Sequence, residues 1–374
     1  MSYLVIDIES DSLDVDTTHI FCICAIDHEN NEFVFTEKES NYIQNFIELC
    51  KKYDLIVAHN GVRFDYAVLK KYGFKFKIRD TLLDSKILYP QTLLYAFDER
   101  TNRVDKNLKG SYSLKAFGQR IGNYKLPFDD WTELSDEMVT YCLQDCRVTK
   151  ELFIRINDSN KLPSYEVLHM EYLVAYLIMR QEKAGFEFDI VKAHKLARRM
   201  QRKKNKIEYI LKKKYPPKLV SKGSNMNPKG MKRNGVQIVG PYTNVTWQEF
   251  NPSSRQQIID RLKSKWKPSV FTEKLTPVVN PDTIKNVDDS KLLVAYLKLT
   301  KDLSQLHTGS GSLMNYYNSK TKKIHGKVDT LSCVTHRMSH NSPNLAQTTK
   351  DKEIRSLFHI EKSKGCYLGI DADA

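Results

Sequence analysis

An α/β domain followed by a mostly helical portion is the fold class that this sequence predicts, and three observations carry the prediction. Short apolar, β-branched runs alternate with helical stretches as far as Asp145. Beyond Asp145 the strands give way to long helical patterns over residues 164–183, 190–214 and 282–306. With 374 residues the chain can bury a large core and form two or more domains.

The first element, Tyr3-Leu4-Val5-Ile6-Asp7-Ile8-Glu9, has the composition of a central strand. Alternation along a strand puts Asp7 and Glu9 on one face, where both can reach one ion. Taken alone, Asp-x-Glu equally describes a strand end whose acids face water. A second apolar strand, Leu55-Ile56-Val57-Ala58, runs into the polar turn His59-Asn60-Gly61, and a helix begins near Arg63. Asp65 falls in the first turn of that helix, a place Asp also takes simply to complement the helix dipole. His59 reads as structural, because carboxylate-bound magnesium does not ask for imidazole. The third site lies in a helical stretch over residues 135–156, where Tyr141 and Asp145 are spaced i, i+4 and share one helix face.

Four carboxylates from three places are what two hard divalent cations need, and two such cations are one way to hydrolyse a phosphodiester. The first part of the chain therefore reads as a metal-dependent 3′–5′ exonuclease.

The formal net charge is +14, and it is unevenly spread. Between Gln201 and Val270, 17 Lys and Arg stand against 3 Asp and Glu, so this segment accounts for the whole excess. A balanced catalytic part beside a basic segment points to a surface that meets phosphates, although a solvated, lysine-rich helix has the same composition. Seven cysteines occur, among them Cys22 and Cys24 alternating on a probable strand and Cys142 and Cys146 one helical turn apart. Neither pair has the second pair that a zinc site needs, so reduced thiols in a cytoplasmic protein are expected. Met1-Ser2 leads straight into the first strand, so no signal peptide is expected, and no apolar run is long enough for a membrane span.

Within the helical portion, Arg180-Gln181-Glu182 to Gly185-Phe186 reads as a helix stopped at glycine and followed by an extended segment. Tyr215-Pro216-Pro217 ends the next helix, and residues 218–242, rich in Gly, Pro, Asn and Lys, are expected to form an exposed, mobile insertion. Asn251-Pro252-Ser253-Ser254-Arg255 has the form of a capped helix start whose amides, hydroxyls and Arg255 could grip a phosphate, or could serve only their own helix.

In order and context, Asp7-x-Glu9, Asn60-x-x-x-x-Asp65 and Tyr141-x-x-x-Asp145 resemble the exonuclease superfamily named for its Asp-Glu-Asp-Asp set, in the subclass with tyrosine in the third motif. The resemblance implies a ribonuclease H-like domain. In it Asp7, Glu9, Asp65 and Asp145 would hold two Mg2+ (or Mn2+) ions and Tyr141 would orient the attacking water. Further on come Thr335-His336-Arg337, Ser342-Pro343-Asn344-Leu345-Ala346-Gln347 and Gly369-Ile370-Asp371. These resemble family A DNA polymerases of the DNA polymerase I type, closest to the replicative polymerases of short-tailed bacteriophages.

That likeness spans essentially the whole chain. It implies an exonuclease domain over 1–160, a helical connection and thumb over 161–320 and the opening of a polymerase palm from 321 to 374. DNA would be the partner, as single-stranded or frayed 3′ ends and as primer-template duplex, with contacts from Asn60, Asn251, Ser253, Ser254, Arg255, Arg337 and Gln347. Arg337 would read the minor-groove edge of the primer terminus, and Asp371 would be the first metal-binding carboxylate of the palm.

The chain departs from that pattern in places. His336 stands where the family usually has glycine, and residues 218–242 occupy the place of the thioredoxin-binding loop but are much shorter, so thioredoxin recruitment is not expected. The sequence as given stops at Ala374, before the second palm carboxylate, so nucleotide incorporation is expected only with a second chain carrying the missing palm and fingers. A DNA- and partner-binding half of such a split polymerase is the alternative function. A viral protein of this kind would work in the host cytoplasm.

Overall fold

The computed structural model describes residues 2–12, 19–225, 231–238, 241–333, 335 and 337–360. They fall into two compact units, residues 1–184 with 327–341, and residues 185–326 with 342–374.

The first unit is built on a five-stranded sheet of order β3-β2-β1-β4-β5. Its strands are β1 (Tyr3–Ser10), β2 (Ile20–Asp27), β3 (Glu32–Thr36), β4 (Leu55–Ala58) and β5 (Ile78–Asp80). β1 is central, antiparallel to β2 and parallel to β4. Its apolar, β-branched run suits a strand buried on both faces. The helices are α1 (Tyr42–Cys50), α2 (Asp65–Leu69), α3 (Thr81–Leu88), α4 (Gln91–Thr101), α5 (Leu114–Ile121), α6 (Asp136–Asp158) and α7 (Tyr165–Ala184).

Alternation sorts the sheet into two cores. Leu4, Ile6 and Ile8 pack with Ile23, Ala25 and Ile56 against Phe46 and Ile47 of α1 and Leu168, Tyr172 and Ala175 of α7. Val5, Cys22, Cys24, Leu55 and Val57 pack on the other face against Met138, Cys142, Cys146 and Phe153 of α6. Asp7 and Glu9 have the parity of Val5, so they lie on the face that α6 covers.

α7 packs with the first unit. Tyr172 donates its hydroxyl proton to Asp84, which also takes Arg79 at 2.7 Å, beneath the apolar contacts of Leu168 and Ala175. The hairpin of Lys327–Asp329 with Ser339–Asn341 also belongs to this unit. Val328 donates its backbone N–H to Glu182 at 2.6 Å, Arg63 donates to the Val328 carbonyl at 3.3 Å, Lys86 pairs with Asp329 at 2.7 Å, and Leu331 is buried in the first core.

The second unit begins where Gly185 stops α7 at φ 59, and Phe186–Glu187 then pairs with Lys323–Ile324, as the glycine signal predicts. A Cβ at Gly185 would lie 2.7 Å from the His325 ring, so the close approach itself requires glycine. Helix α8 (Ile190–Lys214) buries Ala193, Leu196, Ala197, Met200, Ile207 and Leu211 along one stripe. It is followed by α9 (Arg255–Leu262), α10 (Pro281–Ile284) and α11 (Lys291–Leu303).

One expectation is corrected here. Residues 282–306 do not form one helix. α10 ends, Asp289 takes a left-handed φ of 64, Ser290 donates its hydroxyl proton to the Ile284 carbonyl at 2.6 Å, and α11 starts anew. The turn-forming run Asn286-Val287-Asp288-Asp289-Ser290 outweighs the apolar periodicity across it. Residues 218–242, expected as an exposed, mobile insertion, hold β-ribbon where they are described. Lys218–Asn225 pairs with Tyr242–Gln248, and Met231–Arg233 pairs with Val236–Ile238. Asn234-Gly235, both at positive φ, is the two-residue turn that such a hairpin needs.

Among the described residues no helix is long and apolar enough to cross a membrane.

Candidate metal-dependent nuclease site

Asp80 organises the approach to the site. It is fully buried at the N-cap of α3, where its Oδ1 accepts N–H bonds from Leu82 at 2.9 Å and Asn60 at 3.1 Å while its Oδ2 accepts one from Val62 at 3.0 Å. Burial, partly offset by those amides, pushes its carboxyl up to about 6. The pinned turn has Asn60 at φ 62, which asparagine tolerates, and Gly61 where a Cβ would come within 2.4 Å of the Ala58 Cβ. Asp65 is thereby delivered to the start of α2 beside the end of β1. His59 is structural as expected: its Nδ1 lies 2.9 Å from the Thr81 hydroxyl, and burial pulls its pKa down to about 3.

α6 delivers the other side of the site. Ser135 caps it by accepting the Met138 N–H at 3.1 Å, with Asp136 and Glu137 in the first turn. Tyr141, Cys142, Asp145 and Cys146 then point at the sheet. Cys142 donates its thiol proton to the Asp7 carbonyl at 3.4 Å, fixing α6 against β1.

Four acids meet there. Glu9 is 8% exposed, Asp65 and Asp145 are 3% exposed, and Asp7 is half-buried. Burial first, then the like charges of Glu9, Asp145 and Asp65, raise Asp7 well above the usual carboxylate range. Burial, helped by Cys22 and Asp145, pushes Glu9 up to about 8. Burial likewise pushes Asp65 up to about 7, and it raises Asp145 against the opposing Lys125. The Tyr141 hydroxyl, pushed up to about 12 mainly by burial, stays a proton donor at neutral pH.

This donor set fits divalent cations. All four acids offer hard oxygens, and among the described residues Asp65 Oδ1 and Asp145 Oδ1 are buried without any hydrogen-bond partner. Carboxylates so crowded ionise together only beside positive charge.

Sequence reasoning missed the cation already present. Lys125 Nζ is ion-paired with Asp145 and lies 4.5 Å from the centre of the Tyr141 ring. Burial would lower its pKa, but Asp145, Tyr141 and Asp7 outweigh that and hold it above the ordinary lysine value. Lys125 sits on an extended strap held to α6 by Gln144, which donates to Asn123 Oδ1 at 2.7 Å and to the Tyr124 carbonyl at 2.9 Å. The same strap carries Phe128 and Trp131, whose rings lie 5.3 and 5.6 Å from Tyr141. Trp131 is 39% exposed, leaving an aromatic surface open next to the acids. The signal available in the sequence was Lys125-Leu126-Pro127-Phe128, an extended basic and aromatic run just before a capped helix.

Residues 4–157 match the RNase H superfamily, and residues 231–374 match DNA polymerase family A. The chain thus joins an RNase H-like first domain to a later segment of the DNA polymerase family A type. It is 27% identical to the DNA-directed DNA polymerase of Enterobacteria phage T3 and 25% identical to that of Escherichia phage T7, in each case over 92% of this chain and 62% of the phage protein. Among solved structures, the POL domain of Pol1 from M. smegmatis, in complex with DNA primer-template and dNTP, shares the fold. It has a TM-score of 0.57 at 14% identity, covering 96% of this chain and 55% of that one. RNase H-like and polymerase domains generally use divalent metal ions.

The other expected contact residues lie elsewhere. Ser254 is the N-cap of α9, accepting the Gln257 N–H at 3.4 Å; Asn251 Oδ1 takes the Ser253 N–H at 2.9 Å, and the Ser253 hydroxyl meets Tyr296 OH at 3.0 Å. These polar groups thus serve the start of α9 and its contact with α11, while Arg255 is exposed. Gln347 is exposed, and its carbonyl accepts from Gln305 at 2.8 Å. Arg337 is exposed, in the hairpin segment of the first unit. Asn60 is half-buried in the turn before α2. His336 and Asp371 lie outside the described residues.

Proposed function

We propose that the RNase H-like domain is a two-metal 3′–5′ exodeoxyribonuclease, the proofreading part of a phage-type replicative polymerase. The observation that carries this reading is the convergence of Asp7, Glu9, Asp65 and Asp145 on one buried crevice with two carboxylate oxygens unpartnered among the described residues. Two divalent ions, Mg2+ or Mn2+, would supply Lewis acidity, activating a water and neutralising charge on the leaving 3′ oxygen.

The chain's own residues do the rest. Asp7, Glu9, Asp65 and Asp145 would hold the ions in place. Tyr141, kept protonated, would orient the attacking water through its hydroxyl. Lys125 holds Asp145 in position and offers a cation toward the scissile phosphate. Phe128 and Trp131 would stack on the bases of a strand that has left the duplex, because a nucleotide must leave the stack to reach the acids.

For the family A polymerase portion, Arg255, Gln347 and Arg337 are proposed DNA contacts, as are Asn60, Asn251, Ser253 and Ser254. Asp371 is the proposed palm ligand. The division into exonuclease, thumb and palm regions over 1–160, 161–320 and 321–374 is proposed in the same sense, and the work would take place in the host cytoplasm.

Digestion of a 5′-labelled oligonucleotide tests the reading. In Mg2+ or Mn2+ a ladder should shorten from the 3′ end, and Asp7→Ala should abolish it. Equal digestion by the variant would show that the activity comes from elsewhere.

A further inference from the structure

We propose that Cys22, Cys24 and Cys142 form a binding site for one thiophilic divalent cation of the zinc and cadmium class, adjoining the carboxylate nest. Sequence spacing leaves the cysteines as two unrelated pairs, and the fold regroups them. In the β1–β2 register Cys24 is opposite Asp7 and Cys22 is opposite Glu9, so the two thiols adjoin the acids on the same sheet face. α6 brings Cys142 down onto that face from the opposite side.

All three residues are fully buried, and their sulfurs lie within 4.8 Å of one another. Three thiolates around one zinc-sized ion, at a metal–sulfur distance of about 2.3 Å, stand about 4 Å apart, so the cluster needs only a small contraction. Cys142 Sγ also lies within 4.8 Å of carboxylate oxygens of Asp7 and Glu9, which offers a fourth, oxygen ligand and a polar way in.

The present thiol contacts are weak ones. Cys142 donates to the Asp7 carbonyl at 3.4 Å and Cys24 to the Val139 carbonyl at 3.8 Å. Binding would release the thiol protons to solvent and needs no redox partner. Donor softness separates the two neighbouring sites: sulfur selects Zn2+ or Cd2+, while the carboxylates select Mg2+ or Mn2+.

Cys142 lies one helical turn from Asp145 and bonds Asp7, so an occupied thiol site would draw both acids from the geometry that hard ions need. Inhibition of the nuclease by trace soft metal is the consequence, and this clause alone rests on the exonuclease reading.

The test titrates the full chain, reduced and stripped of metal, with Cd2+ in excess Mg2+ while the ultraviolet thiolate-to-cadmium charge-transfer band is followed. One equivalent per chain should give the band. The Cys22→Ser/Cys24→Ser pair should lose it, as should Cys142→Ala as an independent variant. Cys146→Ser is the matched control: Cys146 is equally buried in the same core but outside the triad, so this variant should keep the band. Exposed Cys333 supplies a second control, and Cys333→Ser should also keep it.

No band in the unmodified chain, or the same band in the double variant, overturns the site. The unmodified chain decides the first point even if a variant fails to fold. A clear band with Cd2+ in a chain that digests no DNA in Mg2+ alone, before any Cd2+ is added, would leave the thiol site standing and remove the exonuclease reading instead.

Discussion

The crevice of the first unit and the basic helix of the second use charge in opposite ways. In the crevice Glu9, Asp65 and Asp145 are buried, crowded and displaced from their ordinary titration ranges, and each is held by a different element. Along α8 and the segment after it the charges are numerous and solvated. Arg202, Lys203, Lys206 and Lys213 are exposed, while the opposite stripe of the helix is packed. Lys212 finds Glu208 only at 3.4 Å and Glu249 at 3.6 Å. Positioned charge in a desolvated site performs chemistry, whereas solvated charge attracts a polyanion without choosing its sequence.

The sharpest break in that contrast is Asp7→Ala. It should lower exonuclease turnover by roughly 10^3-fold or more, since a charge-stabilising group is lost from a water-poor site. DNA affinity in the absence of divalent ions should stay unchanged, and gel-resolved digestion and fluorescence anisotropy read the two separately. Comparable losses in both would erase the distinction between the regions.

Lys125→Ala should cost roughly tenfold to a hundredfold in turnover. Lys125→Arg should recover part of the loss, because a cation beside Asp145 is restored. An alanine variant with full activity would reduce Lys125 to a folding role.

Replacing Lys203, Lys206 and Lys213 together with glutamine should leave turnover at saturating DNA intact and weaken binding by roughly tenfold at low salt. The slope of log affinity against log salt should fall by about one for each phosphate contact removed. An unchanged slope would mean that this helix face does not meet DNA.

The smallest expected effect is on stability. Glu9 and Asp65, pushed up to about 8 and about 7, favour the fold in their protonated forms. Their contribution is complete below the ordinary carboxylate range and is lost as pH rises through 7 and 8. In chelator the melting temperature should therefore fall by several degrees between about pH 6 and about pH 9, and Mg2+ should remove most of that fall. A pH-independent melting curve in chelator would show that the acids are not crowded in solution.

Much of the site was legible from local pattern. The parity of Asp7 and Glu9 and the i, i+4 spacing of Tyr141 and Asp145 follow from the geometry of a strand and a helix, and the fold has both. The capped start of α9 and the glycine stop after α7 are likewise local chemistry. Where local signals conflicted, the reading went astray. Apolar periodicity across 282–306 concealed a break at which Asp289 takes a left-handed φ and Ser290 bonds the Ile284 carbonyl, and the polar composition of 218–242 concealed the Asn234-Gly235 hairpin turn.

What the sequence alone determined is the set of residues able to do this chemistry and the order in which strand and helix present them, because backbone periodicity is a property of neighbours. Only the tertiary structure decided that Lys125 pairs with Asp145, that Cys142 drops between the acids of β1 and the thiols of β2, and that Val328 is held by Glu182. Those partners lie on separate elements, and packing the two faces of one buried sheet is what selects them.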